Sequence, residues 1–294
     1  MSKKNRVVLI IAVLLVLVGV WYATRRAKEL PVETRTSESS TKGTPAGPNV
    51  AIAPGVAKEG EVGVGKKPAV AETGLQLRSG ESLEYAANIS KLNSTIANLK
   101  VLVGEQKSLS GKPVWHLQAF AHTENPYRMV FELDDQFDSY SEPSALTSMQ
   151  YEMHLSERGQ KVDSVQRLLS SMKETAPQGM LAARVLPGTR DPLGMLQYLR
   201  SVDWNKTPEV RSPIYDGRKL YDVRAVLVNK SEAVSVPAGK YNTSKIEIHV
   251  LDNGAEMKDM HFLLYLSNDG TRTPVLMEAV LPIATARVEL TKAK

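Results

Sequence analysis

Cysteine is absent from all 294 residues, which removes disulfides, thiolate catalysis and every zinc site built on sulfur. Aromatic residues make up only 6% of the chain, and Glu29–Gly74 contains none. That stretch is dominated by Pro, Gly, Ser, Thr, Ala, Lys and Glu, and it carries too little apolar surface to offset the entropy lost on folding. It reads as a disordered tether, whose span as a flexible coil would be on the order of 35–40 Å. A glycine-rich phosphate loop is missing as well, because Gly60–Gly65 falls inside the tether with no helix pattern after it. Ser170-Ser171 lacks the Gly-x-Ser-x-Gly setting of an exposed nucleophile, so no hydrolase is indicated. The chain is expected to be non-catalytic and to need no cofactor.

Charge of one sign is concentrated at one place. Lys and Arg number 37 against 32 Asp and Glu, a net charge of +5. Residues 1–28 contain six of those bases, Lys3, Lys4, Arg6, Arg25, Arg26 and Lys28, and no acid. Since 37 less six is 31, the remainder is one charge short of neutral, and no nucleic-acid partner is expected. The bases flank the uncharged run Val7–Ala23, which as a helix at about 1.5 Å per residue covers roughly 25 Å. Trp21-Tyr22 suit an interfacial anchor better than a cleavage site, which calls for small residues. Residues 1–28 therefore read as a signal anchor crossing a membrane once through 7–23. Basic residues on both flanks leave its orientation tied.

From about Leu75 the pattern turns to short period-two runs separated by turn residues, as in an antiparallel β protein. Ser82–Ile89, Thr95–Val103, Val114–His122, Gln136–Ser141, Met149–Leu155 and Val162–Leu169 precede a connector, Lys173–Gly188. Val210–Tyr215 and Lys219–Val228 flank Asp216-Gly217, a two-residue hairpin signal, and further turns fall at Pro237–Lys240, Asp252–Gly254 and Asn268–Gly270. Ile246, Ile248 and Val250 alternate with polar residues, whereas Met260–Leu266 is apolar on both faces. Such a strand is either covered on both sides or has one face lining a cavity. Ala284–Leu290 ends the series.

One helix stands out among the strands, Thr189–Arg200. Asp191 can cap its N-terminus, Pro192 suits the first turn, and Arg200 lies where a cation favours the dipole. Its face, with Leu193, Leu196 and Tyr198, together with Phe262 and Leu264 of the two-sided strand, is the candidate lining for an apolar ligand. Direct packing of the same residues into a solid core is the competing arrangement.

Polar clusters are less persuasive. His249 and His261, with Asp252 and Asp259, could face one another across neighbouring strands, but no pair has ligand spacing, and solvated histidines are expected. Glu132, Asp134, Asp135 and Asp138 lack the glycines of a calcium loop and read as a solvated acidic strand. No metal site is expected.

The ordered segments Arg190-Asp191-Pro192-Leu193 with Tyr198-Leu199-Arg200, then Glu232–Val236 before Pro237-Ala238-Gly239, then Leu264–Asp269 before Pro274-Val275, resemble a bacterial family of domains of unknown function, number 3108. The resemblance runs from about Gly80 to Leu290, with Tyr265 standing where that family often has tryptophan. It implies an exported protein whose mainly β domain forms a curved sheet or open barrel, and it brings no activity or catalytic residue. Export resolves the orientation, with the N-terminus cytoplasmic and residues 75–294 in the periplasm. The expected function is a binding module for an apolar or lipid-like envelope molecule, or else a scaffolding part of an envelope protein complex.

Overall fold

The computed structural model describes residues 77–90, 94–130, 132–157, 159–258, 261–280 and 284–294. The anchor and tether expected at 1–28 and 29–74 lie outside these residues, as do Asp259 and Met260. Among the described residues no helix is long and apolar enough to cross a membrane.

The described residues are mainly β with one short α-helix. Its strands are β1 (Ser82–Ile89), β2 (Thr95–Leu109), β3 (Lys112–Thr123), β4 (Asp134–Ser141), β5 (Ser148–Glu157), β6 (Gln160–Leu169) and β7 (Leu181–Arg184). After the helix α1 (Pro192–Ser201) come β8 (Glu209–Tyr215), β9 (Leu220–Val236), β10 (Gly239–Asp252), β11 (Ala255–Glu256), β12 (His261–Ser267), β13 (Pro274–Val280) and β14 (Thr285–Ala293). They form one sheet in the order β7-β6-β5-β4-β3-β2-β1-β14-β13-β12-β10-β9-β8, with β11 paired to β10. Two meanders thus meet where the first strand pairs with the last, Leu83 facing Ala293 and Ile89 facing Ala286.

Three expectations change. The connector Lys173–Gly188 contains β7, which pairs in parallel with β6 and breaks the otherwise antiparallel order. Asp216-Gly217 does not make a two-residue hairpin, because Tyr215 pairs with Leu220 across a longer loop. There the Asp216 carboxylate accepts from the N–H groups of Arg218 (2.6 Å) and Lys219 (2.7 Å), and only Gly217 takes a positive φ, of 93°. The strand expected at Lys219–Val228 runs on to Val236, because β9 and β10 extend as a long hairpin with irregular register near Thr243–Ile246. The tip of that hairpin reaches β14, where the Ala238 N–H donates to Leu290 O at 2.9 Å.

That arm explains the strand that is apolar on both faces. Phe262, Leu264 and Leu266 point into the main core. On the opposite face Tyr265 joins Val234 of β9 and Val275 and Leu276 of β13 in a second apolar cluster. β12 is covered on both sides.

The sheet is curved but open, since its edge strands β7 and β8 do not pair. The seam between the two ends is crossed by polar bonds instead. Gln166 of β6 donates to Gly217 O at 2.8 Å and accepts from the Tyr215 hydroxyl at 2.6 Å. Arg190, just before α1, forms a lone parallel bridge to Ile214 of β8. Helix and seam therefore share residues.

The helix starts as its residues dictate. Asp191 Oδ1 accepts from the Leu193 and Gly194 N–H groups at 2.9 Å each, and Pro192 follows. Leu193, Met195, Tyr198 and Leu199 are buried, and burying each aliphatic side chain contributes about 1.5–3 kcal/mol. At Gly194 a Cβ would come within 2.9 Å of Ser148 Oγ and 3.0 Å of Ser141 Oγ, so the helix lies directly on β4 and β5 there. The C-terminal end is anchored by charge. Arg200, 2% exposed, donates to both oxygens of Glu81 at 2.7 Å, to Gln197 at 2.7 Å and to Thr271 O at 3.0 Å. Arg272, in the turn before β13, in turn donates to the free carbonyls of Ser201 (3.2 Å) and Val202 (2.8 Å).

Removing one member of a buried pair leaves the other charge uncompensated. E81A is expected to lower the stability of the protein in urea unfolding by about 3–5 kcal/mol, and adding R200M is expected to restore part of that loss. A double variant as unstable as the sum of the two single changes would show that the pair itself is not the source.

Candidate functional site

The interior is filled around the helix. Leu193, Tyr198, Phe262 and Leu264 are buried members of one apolar core, and Leu196 is partly buried against it. α1 packs chiefly on β3, β4 and β8, so the helical residues and the β12 residues occupy different parts of that core. The Arg190 guanidinium lies 3.6 Å over the Tyr198 ring, a cation–π contact in a largely desolvated place.

Within this core sit acids that simple patterning does not expect. Strand alternation divides the run Glu132–Asp138, and the expected solvated acidic strand is only half right. Asp134 is exposed and paired with Arg128, as is Glu132. Asp135 turns inward, where it accepts from the Ser156 N–H at 2.9 Å and burial pushes its pKa up to about 7. Asp216 is fully buried and pushed up to about 6 by desolvation, against the pull of the Lys219 and Arg218 N–H groups. Asp191, also fully buried, is raised for the same reason despite the bonds at the helix cap. All three charges, after desolvation, raise the Tyr151 hydroxyl, a buried group without a hydrogen-bond partner among the described residues.

On the outer face of β3–β5, Asp138 is buried under polar neighbours. Its Oδ1 meets His116 Nε2 at 2.6 Å and Gln118 Nε2 at 2.9 Å, and its Oδ2 accepts from Gln136 at 2.7 Å. Burial raises its pKa, but these donors outweigh burial and hold the carboxyl below its usual range. Asp138, Glu152 and His154 offer ligand atoms within 4.8 Å of one another. His154 is however engaged by Asp163 at 2.8 Å, so the protein's own donors and acceptors satisfy this patch. The two histidines expected on a solvated face each meet a glutamate. His249 meets Glu256 at 2.6 Å and His261 lies 3.6 Å from Glu247, while Asp252 is taken by Lys219 at 2.5 Å.

Among the described residues, two clefts lie near the ends of α1. One, of about 630 Å³, is polar, lies between residues 77–83, 270–273 and the C-terminus, and is walled by Arg200, whose donors are already engaged. The other, of about 510 Å³, has the more apolar walls. Its walls come from the tip of the β2–β3 hairpin, the β4–β5 connection, the end of β6 and the segment leading into α1. Leu168, Leu169, Pro177, Val185, Leu186 and Pro187 supply apolar surface. Leu186 is half exposed at its rim, and Met172, in the loop after β6, is exposed as well.

A buried cation is set into that wall. Arg167, 7% exposed, donates from Nη2 to Ser110 Oγ at 2.6 Å, while its buried Nη1 has no hydrogen-bond partner among the described residues. Desolvation lowers its pKa, and the charge of Glu174 acts in the opposite direction. None of the five residues expected to line a ligand site reaches this cleft. The functional signal that residue-by-residue reading missed is Arg167, a charge inside the β6 run, where a solvated position is the ordinary expectation.

The sequence profile of a family described as "Protein of unknown function (DUF3108)" matches residues 85–291, well over half of the chain. No curated protein matches the chain. Among solved structures it is similar to a beta-barrel-like protein of the domain of unknown function DUF1849 from Brucella abortus, at 11% identity and a TM-score of 0.47, covering 74% of this chain and 97% of that one. It is also similar to a hypothetical protein from Chlamydia trachomatis, at 8% identity and a TM-score of 0.36, covering 74% and 87%.

The raised carboxyls give stability a definite pH dependence. A group that binds its proton more tightly in the folded state stabilises fully below its unfolded pKa and loses that contribution as pH rises through its folded one. Asp216 and Asp135 are raised to about 6 and about 7, so the unfolding midpoint is expected to fall between pH 4 and pH 7. D216N keeps an oxygen for the two N–H groups and should flatten that fall, as measured by thermal unfolding across the range.

Proposed function

The chain belongs to the DUF3108 family, and from its cleft we propose that it is a non-catalytic binding module for a lipid-like molecule of the cell envelope. The observation that carries this reading is the cleft of about 510 Å³, walled by aliphatic and proline side chains and opening beside half-exposed Leu186. A volume of this order encloses a ligand of ordinary small-molecule size, and apolar walls reward burial of a hydrocarbon chain at about 0.8 kcal/mol per CH₂. The packed core keeps the walls in place, and the ligand lies outside it. The apolar run 7–23 with its basic flanks supports an anchored protein, held by one span in the inner membrane with its β domain in the periplasm. A tether spanning on the order of 35–40 Å would let the cleft approach lipid surfaces.

Organic extracts of the purified full chain are expected to contain a long-chain amphiphile at close to one molecule per chain by mass spectrometry. L186D, placed at the exposed rim where folding is little affected, should lose most of it. Equal recovery from L186D would assign the lipid to the membrane anchor and defeat the reading.

A further inference from the structure

The cleft holds more than apolar wall. A guanidinium that is nine-tenths or more buried ordinarily faces a carboxylate, because a buried charge is costly unless paired. Among the described residues Arg167 hydrogen-bonds only the neutral Ser110 hydroxyl, through Nη2, and its Nη1 has no hydrogen-bond partner. The two acids of the cleft are occupied elsewhere. Glu142 accepts from the Ser144 and Ala145 N–H groups at 2.9 and 2.8 Å, and Glu174 accepts from the Ser170 and Ser171 N–H groups at 2.9 and 3.2 Å. Lys112, exposed on the hairpin tip, lines the same cleft. The other orphan nearby is Gln150 Oε1, on the β5 residue that pairs with Arg167.

From this arrangement we infer that the cleft selects anionic amphiphiles, an Arg167 N–H donating to a carboxylate or phosphate head while Lys112 faces the same charge at the rim. The inference rests on the binding reading above and adds the head-group chemistry. The hydrocarbon chain lies along Leu168, Val185 and Leu186, so charge and apolar wall act on opposite ends of one ligand. A hydrogen-bonded charge pair made on leaving water discriminates strongly against a neutral head of similar size.

The test uses the full chain in amphipol and four probes soluble in water: octanoate, octyl phosphate, 1-octanol and inorganic phosphate. Apparent affinities are read from the ligand-induced shift of the unfolding midpoint, which rises with binding to the folded state. Octanoate and octyl phosphate are expected to bind roughly tenfold or more tightly than 1-octanol. R167Q should abolish that preference, and K112Q, at an exposed position, should reduce it about threefold. Equal binding of octanoate and 1-octanol to the wild type, or an unchanged preference in R167Q, overturns the anionic selection and leaves the apolar reading standing. Inorganic phosphate binding as tightly as octyl phosphate shows that the apolar wall contributes nothing, and defeats the amphiphile. No binding by any probe defeats both readings. Should R167Q fail to fold by circular dichroism, K112Q decides, and a wild-type preference in it overturns the inference.

Discussion

The buried fork between Arg200 and Glu81 is the contact on which the arrangement of this protein depends. It joins the end of the helix to the segment entering β1, while the same guanidinium takes the carbonyl of Thr271 from the turn before β13. Three parts of the chain far apart in sequence are thereby held at one place. Arg272 adds the reciprocal contact by taking the last carbonyls of the helix. With Asp191 capping the other end, backbone groups at both buried termini of α1 find partners, and a short helix can lie under an open sheet.

An open curved sheet must manage two edges, and here the helix takes part in managing them. Arg190 bridges to β8 immediately before the cap, and Gln166 with Tyr215 carries the connection from β6. Side chains and a lone bridge replace a continuous ladder across the seam. The segment that approaches this seam, Val185–Thr189, is also one wall of the cleft. Cleft wall and closure are therefore built from one piece of chain.

Much of the fold was legible. Period-two alternation placed most of the strands, and Ile246, Ile248 and Val250 are buried as their pattern predicts. Asp191 and Pro192 named the start of the helix because capping is a local matter of a few residues. The errors have a common cause. Asp135 and Asp138 look like surface acids, yet one points to the core and the other is covered by His116, Gln118 and Gln136 from its own and a neighbouring strand. The double-faced run in β12 could be counted, but its cover is the arm of β9 and β10 folding onto a distant strand. Little of the candidate cleft could be read, because its walls come from segments between Ser110 and Thr189 that share no spacing.

By itself the sequence determined the mainly β class, the position and capping of the helix that follows Asp191, and the family to which the chain belongs, since alternation, caps and ordered short segments are properties of neighbouring residues. Tertiary structure alone decided that Arg200 is a buried tie and that Arg167 stands in a greasy cleft with an unmet donor. A charge has the same character in sequence wherever it lies. Its role follows from how much water remains around it and which distant carboxylate is within reach, and both are set only when the sheet curls and the helix docks.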